Sequence, residues 1–88
     1  MAEVVWPESI LKVLEAMPFR EAELMLRKAD VLQRFPRMYP VRGAGRFRRH
    51  RWFTAGNWLV YYRYAGGTVY IRAIWPALQR NPRSESAV

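Results

Sequence analysis

The sequence predicts an α+β fold in which a short N-terminal strand and a helical hairpin pack on one face of a three- to four-stranded antiparallel sheet. Apolar residues recur at helical spacing through residues 8–35, and segments rich in aromatic and β-branched residues, joined by short glycine-containing turns, follow from residue 46. The chain of 88 residues is long enough for one domain. We expect this domain to span residues 1–78 and residues 79–88 to form a flexible polar tail.

The N-terminal half predicts one strand and two helices. Residues 3–6, EVVW, favour a short strand, and Pro7 suits the first turn of a helix. The first helix extends to Pro18, and the second, from residue 19, ends before Pro36. The second helix carries apolar residues three or four positions apart, which we expect to face the core. They are Ala22, Met25, Leu26, Ala29, Leu32 and Phe35.

The C-terminal half predicts three antiparallel strands after a loop rich in proline and glycine. We expect them at residues 46–54, 58–64 and 68–75, with AGN and AGG as the turns. Alternation along the last strand assigns four residues to the core face, namely Val69, Ile71, Ala73 and Trp75. The other face of such a sheet is normally solvated, and here arginine, histidine and aromatic residues are available for it.

Composition excludes several kinds of site. The chain has no cysteine and one histidine, which rules out disulfides, thiolate metal sites and two-histidine metal sites. We therefore expect no metal and no cofactor. The N-terminus lacks the character of a signal peptide, and no apolar run approaches the about 20 residues of a membrane span. We expect a cytoplasmic protein that has no membrane partner.

The distribution of charge points to an anionic partner. Residues 1–30 carry six acids and four bases, whereas residues 31–88 carry eleven arginines and one acid, Glu85. The densest part of this charge is RFRRHR, residues 46–51. Arginine makes planar, bidentate contacts with phosphate. A polyanion or an acidic protein segment would match this charge, and the alternative is a solvated face with scattered ion pairs to the helices.

One long stretch of the sequence, residues 20–75, is similar to a known family. Residues 20–35, REAELMLRKADVLQRF, precede the basic segment. Residues 54–74, TAGNWLVYYRYAGGTVYIRAI, combine a glycine-containing turn, an aromatic strand, a second small turn and a V-x-I-x-x-I strand. With the predicted order of elements, these motifs make residues 3–76 resemble the RelE/ParE superfamily of toxins from type II toxin–antitoxin modules.

The resemblance implies a toxin that is held inactive by a cognate antitoxin. RelE-like members cleave messenger RNA in the ribosomal A site, whereas ParE-like members poison DNA gyrase and have no known hydrolytic site. For this chain we favour a ribosome-dependent mRNA endoribonuclease-like toxin. The alternatives are a ParE-like gyrase inhibitor and a non-toxic relative that only binds antitoxin or nucleic acid. A homodimer is compatible with each, although no residue requires one.

The resemblance also locates candidate catalytic residues. In RelE-like nucleases an arginine precedes the L-V-Y motif, but Trp58 occupies that position here, and the segment after Ile74 lacks the C-terminal His and Tyr. Cleavage through the ribose 2′-hydroxyl requires proton transfer and positive charge at the phosphorane. His50 is the candidate acid or base, although a lone histidine is more often a structural hydrogen-bonding residue. The candidate phosphate ligands are Arg49, Arg51, Arg63 and Arg72.

Basic and aromatic side chains of the strands are the predicted nucleic-acid contacts, because arginines bind phosphates and aromatic rings stack on bases. They are Arg46, Arg48, Arg49, Arg51, Trp58, Tyr62 and Arg63. On a regular strand, His50 would lie on the face opposite Arg49 and Arg51. Whether the chain is an enzyme stays open, because Trp58 replaces the arginine of the nucleases.

Overall fold

The computed structural model describes residues 1–77 and contains two helices and four strands. In chain order these are β1 (Glu3–Val5), α1 (Glu8–Ala16), α2 (Phe19–Val31), β2 (Arg51–Ala55), β3 (Trp58–Ala65) and β4 (Thr68–Pro76). The predicted α+β class is confirmed, whereas the expected polar tail, residues 79–88, lies outside the described residues. Within residues 1–77, neither helix has the length and apolar character needed to cross a bilayer.

The sheet is mixed rather than antiparallel. Its strand order is β1-β4-β3-β2, in which β2, β3 and β4 form the predicted antiparallel meander. β1 pairs in parallel with β4, with Val4 opposite Val69, so the prediction of a purely antiparallel sheet is wrong at this strand. The meander leaves only the outer edges of β2 and β4 open for a further strand. Val41 bridges Arg51 at the β2 edge, and β1 takes the β4 edge.

Both helices pack on one face of the sheet, where they enclose the main core. α1 lies against β4 and α2 lies against β2. The Lys28 Nζ donates a hydrogen bond of 2.7 Å to the Thr54 carbonyl, which ties α2 to the end of β2. The buried side chains of this core come from both helical segments and from the sheet. They include Ile10, Leu14, Met17, Met25, Leu32, Phe53, Val60, Tyr62, Val69 and Ile71.

The second helix is shorter than its apolar pattern predicts. It ends at Val31, after which the amides of Leu32 and Gln33 bond to the carbonyls of Ala29 and Asp30, the tighter spacing of a 3₁₀ turn. This tighter winding rotates the following residues away from the helical stripe. Phe35, expected in the core, is 57% exposed. Leu26, within α2, was also expected in the core and is 44% exposed.

A β-bulge in β4 changes which residues face the core. Tyr62 pairs with Ile71 but Tyr61 pairs with Ala73, so Arg72 is an extra residue in β4. Beyond the bulge the alternation is reversed. Ile74 packs on the main core, and Ala73 turns to the opposite side of the sheet, which we call the second face. The predicted alternation therefore holds up to the bulge and is wrong after it.

The predicted strand at residues 46–54 is wrong in its first half, because β2 begins only at Arg51. Residues 42–50 instead form an irregular loop, which we call the arginine loop. Its turns are closed by the Arg48 amide on the Gly45 carbonyl (3.1 Å) and the His50 amide on the Phe47 carbonyl (3.0 Å). Gly45 and Arg49 have positive φ, 87° and 72°, which an extended strand does not permit.

Candidate nucleic-acid interface

Phe47 folds the arginine loop onto the second face of the sheet. Its ring stacks on Tyr61, with centroids 4.2 Å apart and planes 10° apart. Tyr61, Leu59 and Ala73 form a small second core, against which Phe47 is packed. Burial of these apolar surfaces supplies a driving force for the loop position that its charged residues do not supply. The second face is therefore partly covered, and the arginines of residues 46–49 project from a loop rather than from a strand.

Cationic and aromatic groups surround the Phe47 ring. The Arg46 guanidinium lies 5.4 Å from the ring centroid, and the His50 ring meets Phe47 edge-on at 5.4 Å between centroids. The Arg42 guanidinium lies 5.8 Å from the centroid of Tyr61. These distances fit cation–π contact, which holds positive charge beside the aromatic layer.

Hydrogen bonds close the base of the arginine loop. The Arg42 amide bonds to the His50 carbonyl at 2.7 Å, and the Arg49 amide bonds to the Arg42 carbonyl at 2.9 Å. The Nη1 of Arg51 donates to the carbonyls of Tyr39 (2.7 Å) and Arg37 (3.1 Å). Arg51 thus has a structural role, since its guanidinium holds the segment that leads into the loop.

One cleft brings the candidate histidine together with two arginines. It has a volume of about 500 Å³ and lies between the arginine loop, β4 and α1, and its charged and aromatic lining consists of Arg46, Phe47, His50, Arg72 and Trp75. No carboxylate is among its lining residues in the described chain. The His50 Nδ1 lies 3.2 Å from the Arg48 carbonyl. With the proton on Nδ1, this contact leaves the Nε2 lone pair available for proton transfer. We call this space the His50 cleft.

A second, smaller cleft adjoins the first. It measures about 290 Å³ and is lined by Arg42, Arg46, Phe47, Tyr61 and Trp75. Trp75 was expected in the core, but the bulge at Arg72 turns it to the second face, where it is 42% exposed. An exposed indole beside two guanidiniums offers a stacking surface for a base and positive charge for a phosphate. We call this space the Trp75 cleft.

Two of the predicted nucleic-acid contacts face the helices instead. Tyr62 is fully buried (0% exposed), and its hydroxyl donates to the Pro36 carbonyl at 2.8 Å. Burial raises the pKa of Tyr62 to about 12, against the opposing charge of Arg51. Trp58 packs on the main core, with its Nε1 donating to the Glu21 Oε1 at 2.7 Å. Tyr62 is therefore too deeply buried for the base stacking predicted for it. Trp58 lies on the helix side of the sheet and not on the second face.

The structure separates the remaining candidate arginines. Arg48 and Arg49 are exposed on the outer side of the arginine loop, where they line a third pocket with Gly43, Ala44, Gly45 and Arg46. Arg63 is exposed on β3, in register with Tyr70, and does not line the His50 cleft. Of the proposed catalytic set, only His50 and Arg72 therefore share one cleft.

The charge of the arginine loop is not neutralised within the described residues. Within residues 1–77, the ion pair that forms joins Arg27 to Glu23, 3.8 Å apart, on the exposed surface of α2 and away from the arginine loop. Scattered ion pairs between the basic segment and the helices, the alternative interpretation of the sequence, are not seen in residues 1–77. That part of the chain also has no cluster of three or more potential metal-ligating His, Cys, Asp or Glu residues.

Sequence reasoning missed the residues that shape the interface, Phe47, Arg42 and Trp75. One signal could have identified Phe47: it is a single apolar residue in a basic segment that follows two glycines, Gly43 and Gly45. Such glycines indicate a loop, and a lone aromatic residue in a loop needs an apolar surface to cover. No comparable signal identifies the bulge that exposes Trp75.

Comparisons with known proteins add no assignment. No family model matches this chain, and no curated protein or solved structure is similar to it at a significant level.

Proposed function

We propose that this chain is a RelE/ParE-like toxin that acts in the cytoplasm, binds RNA on translating ribosomes and is held inactive by a cognate antitoxin. The observation that carries the proposal is the His50 cleft, in which His50, Arg46 and Arg72 lie together without a carboxylate among the described lining residues. The element order, a strand, two helices and a three-stranded meander, agrees with the order that the family resemblance implies.

The two adjoining clefts match the two parts of a nucleotide. The Trp75 cleft offers the indole of Trp75 for base stacking, and Arg46 lines both clefts. A nucleotide with its base against Trp75 would place a phosphate near the guanidiniums of Arg46 and Arg72. Single-stranded RNA, whose bases are free to stack, suits such a surface.

The same cleft suggests a route for RNA cleavage. The Nε2 of His50 takes the proton of the 2′-hydroxyl, the 2′-oxygen attacks phosphorus, and the bond from phosphorus to the 5′-oxygen breaks. Return of that proton from His50 to the 5′-oxygen leaves a 2′,3′-cyclic phosphate and a 5′-hydroxyl, with histidine restored. Arg46 and Arg72 stabilise the charge of the phosphorane. Arg51 has no part in this step, because it bonds to the carbonyls of Tyr39 and Arg37.

The test is cleavage of messenger RNA in a cell-free translation reaction, with ends mapped by primer extension. We expect cuts only on translating ribosomes, reduced about 100-fold or more in His50→Gln, as for loss of a general base. Arg72→Gln should also lose most of the activity. Arg20→Gln is the matched control, because it removes the same charge from the exposed start of α2. Undiminished cleavage by His50→Gln would contradict the assigned role.

Trp58 favours a second candidate, a toxin or relative without hydrolytic activity. It stands where RelE-like nucleases carry an arginine, and it faces the helices rather than the His50 cleft. Intact messenger RNA and normal translation, together with inhibition of DNA supercoiling by gyrase, would support the ParE-like alternative. Intact messenger with no effect on gyrase, but retained RNA binding, would support a non-toxic binder.

A further inference from the structure

We propose that the outer side of the arginine loop is a binding site for a phosphate group, which shares only Arg46 with the His50 cleft. The pocket has a volume of about 470 Å³ and is lined by Gly43, Ala44, Gly45, Arg46, Arg48 and Arg49. It combines consecutive backbone amides with three guanidiniums in one short segment. Phosphate binding at this site requires neither RNA cleavage nor a ribosome.

The backbone amides of the loop are available to a ligand. The amides of Arg42, Arg48, Arg49 and His50 bond to carbonyls within the loop. Those of residues 43–47 have no acceptor among the described residues. Successive free amides in a turn form concave sites that bind anions, as in phosphate-binding loops. Four of these five amides belong to residues that line the pocket.

The guanidiniums supply the charge for such a site. Arg48 and Arg49 have no hydrogen-bond or ion-pair partner for their side chains among residues 1–77, and both are exposed. Arginine forms bidentate hydrogen bonds with phosphate, about twice as strong as those between neutral groups. The pocket contains no carboxylate among its described lining residues, so an anion meets no opposing charge there.

The backbone conformation of the loop also has the character of a binding site. Arg49 is the one non-glycine residue with positive φ in residues 1–77, at 72°. An arginine in this conformation is strained, and such strain is concentrated at functional sites. At Gly43, an added Cβ would meet no protein atom within 4 Å, so the loop leaves open space beside this residue.

A phosphate group in this pocket could belong to a free nucleotide or to the end of an RNA chain. Both carry a phosphomonoester with three terminal oxygens, which suits several amides and guanidiniums at once. An internal phosphodiester has fewer free oxygens and is the weaker ligand for this geometry.

The first test is titration of the ¹⁵N-labelled protein with inorganic phosphate at constant ionic strength, followed by amide shifts in NMR spectra. We expect saturable shifts at residues 43–47, with potassium chloride as the reference. Arg48→Gln and Arg49→Gln should each weaken phosphate binding about tenfold, as for loss of a charged hydrogen bond. Arg20→Gln should leave it unchanged. Absence of saturable shifts in the arginine loop would overturn the proposal.

Two further arms identify the source of the phosphate. A short RNA with a 5′-phosphate should bind more tightly than the same RNA with a 5′-hydroxyl, and Arg49→Gln should abolish the difference; this result assigns the site to RNA ends. If both RNAs bind equally and a nucleoside monophosphate displaces inorganic phosphate from the pocket, the site is assigned to free nucleotides. Arg20→Gln, at the exposed start of α2, should leave all these values unchanged. None of these measurements needs RNA cleavage, so loss of phosphate binding and loss of nuclease activity are observed separately.

Discussion

Replacement of Phe47 by alanine tests whether the position of the arginine loop, rather than its charge alone, determines RNA binding. The substitution removes the ring that stacks on Tyr61 at 4.2 Å and that covers the small second core. It leaves the net charge of +8 unchanged. It also removes no atom of the backbone hydrogen bonds at the base of the loop, which join Arg42 to His50 and Arg49 to Arg42.

The expected cost follows from the contacts of the ring. Phe47 is half-buried, so the loss of apolar burial is about 1 kcal/mol, roughly half that of a fully buried phenylalanine. The stacked pair with Tyr61 adds about 1 kcal/mol. A total of about 2 kcal/mol corresponds to about a 30-fold shift in the equilibrium between the folded-back and released loop. If RNA binds only the folded-back loop, affinity falls by up to this factor.

The assay is fluorescence anisotropy of a labelled single-stranded RNA at constant salt, with hydrogen exchange of the loop amides measured in parallel. Phe47→Tyr is the matched control, because it keeps the ring and should bind RNA as the parent protein does. We expect faster exchange at the hydrogen-bonded loop amides, those of Arg48 and His50 above all, and weaker RNA binding in Phe47→Ala alone. Faster exchange with RNA affinity within about threefold of the parent protein would show that charge alone, and not the position of the loop, accounts for binding.

Two further predictions concern stability. Burial raises the pKa of Tyr62 to about 12, whereas an exposed tyrosine has a pKa near 10. As the pH rises, the unfolded chain therefore loses the Tyr62 proton before the folded protein does. The free energy of unfolding should fall by about 2–3 kcal/mol between pH 10 and 12. Tyr62→Phe, measured by urea unfolding over the same range, should lack this component of the pH dependence; an identical pH profile would contradict the assignment to Tyr62. Arg49→Gly should raise the free energy of unfolding by up to about 1 kcal/mol, since relief of the strained φ of 72° exceeds the added chain entropy, while phosphate binding weakens. Lower stability of Arg49→Gly in the same unfolding assay would show that contacts of the arginine side chain stabilise the loop by more than the positive φ of Arg49 destabilises it.

The helices, β3 and β4 could be predicted from the sequence because their signals are local. Apolar spacing determines the helical face, and the AGN and AGG turns determine the meander. The parallel pairing of β1 depends instead on which sheet edge remains open, and that is a property of the whole fold. The bulge at Arg72 shifts Ala73 and Trp75 by one position, a change that no alternation pattern reveals.

The basic surface was predicted in composition but not in geometry. The concentration of arginine in residues 46–51 correctly located a basic surface, and His50 and Arg72 were among its candidate residues. The segment was predicted as a strand because it precedes an apolar one. Its lone apolar residue, Phe47, instead packs on the second face, and Gly45 and Arg49 adopt positive φ to allow this.

Repulsion between like charges destabilises the arginine loop, and apolar packing and backbone hydrogen bonds stabilise it. Arg42, Arg46, Arg48 and Arg49 carry like charges within eight positions, and no acid among the described residues pairs with them. Each close pair of such charges costs up to about 1 kcal/mol in water, before screening by salt. Phe47 and the hydrogen bonds at the base of the loop offset that cost, so the free protein holds its arginines together without an ionic partner. A bound polyanion or phosphate removes the repulsion and leaves the packing unchanged, and for this reason an anion, rather than a neutral ligand, gains most from this surface.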